Sequence, residues 1–262
     1  MYASLSGKRA VVVGGSRGIG RAIALRLAAE GAHVLVSYAR SEEAAEAAAA
    51  ECRACGVESE AVRADIGDAS AVAALFARAE QWGGVDVLVN NAARGLERPR
   101  PALEQRTKHL HATMEVNLFG PWRAVQAAAP LMERRGGGAI VNLLSPGAWQ
   151  YIPNYSAVAV SKAALASLTR YLAVELAPRG IRVNGVSAGG VEGSEGEHSL
   201  RAGIAQRLGP YVPAGRNVTP QDVAAAVAWL CSDESAMVVG ETLHLDGGFG
   251  IAAWGGLLEP ER

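Results

Sequence analysis

The sequence predicts an α/β fold: one doubly wound domain over residues 1–262, with a seven-stranded parallel sheet flanked by helices. Short runs rich in β-branched residues alternate with Ala-rich stretches from end to end. The runs are apolar throughout rather than alternating, which is the pattern of strands covered on both faces. The stretches between them repeat apolar residues at helical spacing.

In chain order the expected strands are Arg9–Gly15, His33–Tyr38, Glu60–Asp65, Val85–Asn91, Ala139–Ser145, Ile181–Ser187 and Glu241–Gly248. Segments such as GRAIALRLAAEGA and DVAAAVAWLCSDE supply the helices. No Pro/Ser-rich linker, composition break or internal repeat divides the chain. The stretch from about 190 to 215 is the least regular, and its place after the sixth strand marks it as a flap over a site.

The formal net charge is −1 and half the residues are hydrophobic. With no basic block and no apolar run near 18 residues, nucleic acid and membrane are not expected partners. The N-terminus lacks a signal-peptide pattern, so the expected location is the cytoplasm. Cys52 and Cys55 form a C-x-x-C without a second pair, and are read as two helix positions. His109 and His111 lack a third ligand, and no carboxylate cluster accompanies them, so no metal is expected.

The segment GGSRGIG, Gly14 to Gly20, falls where the first strand ends and the first helix begins. Glycines there let the backbone turn tightly and approach a pyrophosphate held at the helix N-terminus, so the fold is of the Rossmann type. The second strand runs out through Ser37-Tyr38-Ala39-Arg40-Ser41, with no acid before Glu42. An acid there would bind the ribose 2′-hydroxyl of NAD and repel a 2′-phosphate. Arg17 and Arg40 instead offer guanidinium forks for a phosphate, so NADPH is the expected cofactor.

These residues, with others in order, make the sequence resemble the short-chain dehydrogenase/reductase family over essentially its whole length. GGSRGIG is similar to the family's TGxxxGIG, with Val13 for threonine. Asp65-Ile66 matches the adenine-contacting pair, and Asn90-Asn91-Ala92-Ala93 matches NNAG. Asn117, Ser145 and Lys162 match three members of the catalytic tetrad. PAGR (Pro213 to Arg216) and GETLHLDGG complete the pattern. The resemblance implies a cofactor site of Gly14, Ser16, Arg17, Gly18, Ile19, Gly20, Arg40, Asp65, Ile66, Asn91, Ala92, Lys162 and Val191. It also implies a homotetramer, with Trp254 in the apolar tail as a candidate interface residue.

The departures are informative. The family's Tyr-x-x-x-Lys would put tyrosine at 158, but this chain has Val158 there and Tyr155 three residues earlier. Ala188-Gly189 replaces proline-glycine after the sixth strand. Gly193, beside Ser194, replaces a cofactor-contacting threonine. Tyr-x6-Lys, NNAA and the proline-free turn resemble a smaller group, the bacterial NADPH-dependent enoyl-acyl-carrier-protein reductases of the third type.

That resemblance implies Tyr155 as the group stabilising an enolate oxygen, Lys162 on the nicotinamide ribose, Ser145 on the substrate, and Asn117 holding a water. Moving tyrosine back three helical residues shifts its origin by about 4.5 Å. Such a shift suits a thioester oxygen, which lies two carbons from the hydride acceptor. Tyr151 is a second candidate, less well placed, whose expected role is to line the acyl pocket. The expected substrate is an acyl thioester, on acyl carrier protein or coenzyme A. Two alternatives stand beside this: an NADPH-dependent ketoreductase, selected by preference for a β-keto thioester, and an inactive NADP-binding sensor, selected by tight binding without turnover.

Overall fold

In the computed structural model, residues 5–95, 99–193 and 207–252 are described. Seven strands form one parallel sheet: β1 (Arg9–Val13), β2 (His33–Tyr38), β3 (Ser59–Arg63), β4 (Val87–Asn90), β5 (Gly138–Leu144), β6 (Ile181–Ala188) and β7 (Thr242–Leu245). Their spatial order is β3-β2-β1-β4-β5-β6-β7. The order reverses between β1 and β4, where Val13 pairs with Asn90, and a switch point of this kind is where doubly wound sheets take ligands.

Among the described residues the α-helices are α1 (Gly18–Ala29), α2 (Glu42–Ala54), α3 (Ala69–Gln81), α4 (Thr107–Met114), α5 (Gly120–Arg134), α6 (Ser156–Leu176) and α7 (Pro220–Cys231). Alternate residues of each strand feed opposite cores, as the two-residue period of a strand requires. On β1, Ala10 and Val12 pack with Ile23, Leu27, Ala48 and Val227 of α1, α2 and α7. Val11 and Val13 face the other way, towards Leu75, Val125 and Leu172 of α3, α5 and α6. This is why a central strand such as β1 is apolar throughout, with both faces buried, whereas the edge strands β3 (SEAVR) and β7 (TLHL) are only partly buried.

Several strands are shorter than expected at their carboxyl ends, while β2 ends at Tyr38 as expected and β6 runs one residue further, to Ala188. β1 stops at Val13, β4 at Asn90 and β7 at Leu245. Beyond those points the chain turns away into the loops that form the ligand-facing edge. Cys52 is buried on α2, whereas Cys55 is the residue that closes the helix. His109 and His111 both lie on α4. Among the described residues no three His, Cys, Asp or Glu side chains gather as a metal site.

The segment 156–179 is long and apolar enough to cross a membrane by length and composition, a property the linear search for apolar runs passed over. Its α6 portion packs on the sheet through Leu165, Leu172, Ala173 and Leu176, as a core helix does. A buried polar ladder also ties it down: Asn90 Nδ2 donates to Asn142 Oδ1 (2.8 Å), and Asn142 Nδ2 donates to Thr169 Oγ1 (2.9 Å). Most of the expected flap, residues 194–206 with Ser194, and Trp254 in the tail lie outside the described residues.

Candidate active site

The glycine loop is shaped by side chains it lacks. Gly14 has φ +77°, and a Cβ there would lie 2.9 Å from Ala92. Its N–H and that of Gly15 both donate to the Ser37 carbonyl at 3.0 Å. Gly20 packs on the Gly14 carbonyl so closely that a Cβ would overlap it. Asn91 Nδ2 donates to the same carbonyl at 2.8 Å, joining the loop after β4 to the loop after β1. The first turn of α1 carries no acidic residue, so its N–H groups and dipole suit an anion. Ser16, Arg17, Gly18 and Ile19 form the approach to that helix end, with Arg17 exposed at the N-cap.

Arg40 is exposed just beyond β2. Arg63, which the sequence reading did not single out, is exposed at the end of β3 opposite Tyr38. Strand register alone reveals its nearness to β2. Asp65 stays exposed and accepts from the Gly67 N–H at 3.0 Å, while Ile66 beside it is buried. These residues fit a dinucleotide: the start of α1 offers backbone donors for a pyrophosphate, and Arg17, Arg40 and Arg63 are exposed near the ends of β1, β2 and β3.

Val191 forms an isolated parallel bridge with Val218, which fixes the backbone after β6. Gly193 follows at φ +63° with open space around it. A cavity at this edge is lined by Gly189, Gly190, Val212, Val218 and Phe249.

At the neighbouring edge, Ser145 directly follows β5, at the start of a 3-10 turn, and its Oγ lies 3.2 Å from the Tyr155 hydroxyl. Tyr155 is buried. It is the N-cap of α6, with φ −112° and ψ 7°, rather than a residue within the helix. The tyrosine is therefore supplied by a cap residue whose side chain reaches across the loop to Ser145. Val158 is buried in the first turn of α6. Tyr151 is almost fully exposed, at 89%, and makes no part of this cluster.

Lys162 Nζ donates to the Leu143 carbonyl at 2.5 Å. Burial pushes its pKa down to about 8, because a desolvated ammonium is disfavoured. Asn117 lies at the centre of a π-helical bulge, Glu115–Phe119, between α4 and α5, a distortion common at functional sites. Its Oδ1 accepts from the Arg94 N–H (2.7 Å), and its Nδ2 donates to the Arg94 carbonyl (3.2 Å) and to Ser161 Oγ (3.0 Å). Asn117 thus reaches the neighbour of Lys162 rather than Lys162 itself, and ties the loop after β4 to α6. The sequence gives no sign of the bulge.

A Rossmann-type nucleotide cradle beside a Ser–Tyr hydroxyl pair and a buried lysine defines a class of dinucleotide-dependent oxidoreductases. The family model described as Enoyl-(Acyl carrier protein) reductase matches residues 13–250. The 3-oxoacyl-[acyl-carrier-protein] reductase of Staphylococcus aureus is 39% identical over 242 residues, covering 92% of this chain and 97% of its own. The 3β-hydroxysteroid dehydrogenase 1 of Eggerthella lenta is 37% identical over 254 residues, 95% of each chain. A gluconate 5-dehydrogenase from Burkholderia cenocepacia, solved with NADP and tartrate, matches with a TM-score of 0.85 and 32% identity over 95% of this chain and 97% of that one. This chain belongs to the short-chain dehydrogenase/reductase family and is an oxidoreductase.

Proposed function

We propose that this protein is an NADPH-dependent reductase of the C=C bond of an enoyl thioester. The observation that carries the reading is that the hydroxyl beside Ser145 belongs to Tyr155, entering from the helix cap, while Val158 fills the first turn. When bound, NADPH would supply the hydride for the β-carbon of the substrate. Tyr155 and Ser145 converge on one oxygen, that of the thioester, and stabilise the negative charge that develops there. A proton then reaches the α-carbon, with Tyr155 as the relay.

Lys162, whose Nζ is anchored on the Leu143 carbonyl, would hold the nicotinamide ribose. Asn117 holds the geometry of this end of α6 through Ser161. Gly14, Ser16, Gly18, Ile19 and Gly20 take the pyrophosphate, Arg17 and Arg40 the 2′-phosphate, Asp65 and Ile66 the adenine, and Asn91, Ala92 and Val191 the nicotinamide half. The substrate is an acyl thioester, and acyl carrier protein is the proposed carrier. Exposed Trp122, Tyr171 and Val174 on α5 and α6 support a homotetramer, and the cytoplasm is the proposed location.

One observation favours a second reading, reduction of a carbonyl. The Tyr155 hydroxyl already lies 3.2 Å from Ser145, so the reach of the side chain absorbs part of the backward shift. The Staphylococcus aureus relative is named for 3-oxoacyl reduction. The Ser145–Tyr155 contact weighs against an inactive sensor.

The test is NADPH consumption by purified protein on crotonyl and acetoacetyl thioesters side by side, with NADH as control. Faster turnover of the crotonyl thioester with NADPH supports enoyl reduction. Reduction of the acetoacetyl thioester alone transfers the proposal to the carbonyl.

A further inference from the structure

Tyr155 reaches Ser145 by an unusual route. Asn154, before it, has φ +60° and is the only non-glycine residue with positive φ among the described residues. That left-handed turn, which asparagine tolerates better than most residues, delivers the chain into the cap. The Tyr155 carbonyl accepts from the Ala159 N–H at 2.9 Å, so the backbone is committed to the helix. The ring must therefore fold back over the loop between β5 and α6.

The ring crosses Gly147. A Cβ there would lie 2.7 Å from Tyr155 Cδ1, 2.8 Å from Cε1 and 3.4 Å from Ala159 Cβ. Carbon atoms in good contact sit at about 3.5–4.0 Å, so the ring would have to move by roughly 1 Å. Only 4% of Tyr155 is exposed, which leaves it little room to retreat. Gly147 cannot withdraw readily either. It lies in a 3-10 turn, Pro146–Ala148, closed by Ala148 N–H to the Ser145 carbonyl (2.9 Å) and Trp149 N–H to the Pro146 carbonyl (3.0 Å). Proline fixes φ at the start of that turn.

We propose that Gly147 is a positioning residue: its missing side chain admits the Tyr155 ring and sets the hydroxyl against Ser145. The inference rests on the reading of Tyr155 as the group at the substrate oxygen. A tyrosine supplied from the helix cap needs a glycine beneath its ring, and position 147 provides it. The cost of filling that space falls on kcat, because a misplaced hydroxyl weakens charge stabilisation in the transition state, while the cofactor cradle is untouched.

The experiment is a double-mutant cycle between Gly147→Ala and Tyr155, read by activity and by thermal unfolding. Gly147→Ala is expected to lower kcat about tenfold or more, with NADPH affinity, measured by fluorescence, within about twofold of wild type. In the Tyr155→Phe background the same substitution is expected to cause no further loss of rate. In the Tyr155→Ala background, where the ring is gone, its effect on Tm is expected to vanish. If Gly147→Ala alone does not fold, recovery of folding in Gly147→Ala/Tyr155→Ala supports the contact. Equal losses of rate in the wild-type and Tyr155→Phe backgrounds, or an undiminished Tm shift with Tyr155→Ala, would overturn the role of Gly147. Wild-type rates in Tyr155→Phe would instead remove the reading of Tyr155, and this role with it.

Discussion

At the β1–β4 edge the chain is shaped by absent side chains: Gly14 lies against Ala92, and Gly20 against the Gly14 carbonyl. At the β5–α6 edge it is shaped by the placing of one side chain, Tyr155 against Ser145. The first edge offers backbone donors to a ligand common to many enzymes, so its pattern stays close to a shared template. The second, on the proposed reading, meets a particular reacting oxygen. There the template's tyrosine position is filled by Val158, and the hydroxyl arrives from the cap. Binding and chemistry are thus separable in this molecule, and substitutions at the two edges should separate them.

The largest expected effect is at the chemical edge. Tyr155→Phe should lower kcat by about a thousandfold, within the range for losing a proton-transfer group, while NADPH affinity stays near wild type. Stopped-flow turnover and cofactor fluorescence check the two halves. A parallel loss of cofactor binding would break the separation.

Next comes Lys162, on α6 and bonded to the Leu143 carbonyl of β5. Burial lowers its pKa from 10.5 to about 8, so between those values the unfolded chain binds more protons than the folded one. Stability should therefore rise with pH across that window, by about 3 kcal/mol relative to Lys162→Met, and stay level below it. Urea unfolding of the cofactor-free protein at pH 7, 9 and 10.5 measures this. A flat difference would show that the ammonium is not desolvated.

The smallest expected effect is at the nucleotide edge. Arg40→Ala should raise the KM for NADPH about tenfold with kcat unchanged, the loss of one charge-assisted hydrogen bond. The KM for NADH should not move. Equal changes for both cofactors would place Arg40 away from the 2′-phosphate.

The resemblance to the family reached the right elements because strands buried on both faces must be apolar throughout, and a glycine loop between strand and helix has few other uses. Asn117, Ser145, Tyr155 and Lys162 were named from the family resemblance; the structure sets Tyr155 against Ser145, Lys162 on the Leu143 carbonyl and Asn117 on Ser161. Distances were not legible. Tyr155 was expected within a helix and proved to be its cap, because Asn154 turns the chain at positive φ just before the helix begins. The π-helical bulge at Asn117 left no trace in the pattern, since a single inserted residue hardly alters apolar periodicity. Arg63 was missed because its nearness to β2 depends on strand register.

The sequence by itself determined the layer order, the parallel sheet, the glycine loop and the identity of the polar side chains at the sheet's edge. These follow from local periodicity and from the steric limits of single residues. Only the tertiary structure decided that the Tyr155 hydroxyl meets Ser145, that Asn117 reaches α6 through Ser161, and that Gly147 lies beneath the tyrosine ring. Those contacts join residues from separate elements, and their distances depend on how α6 and the bulged helix settle on the sheet.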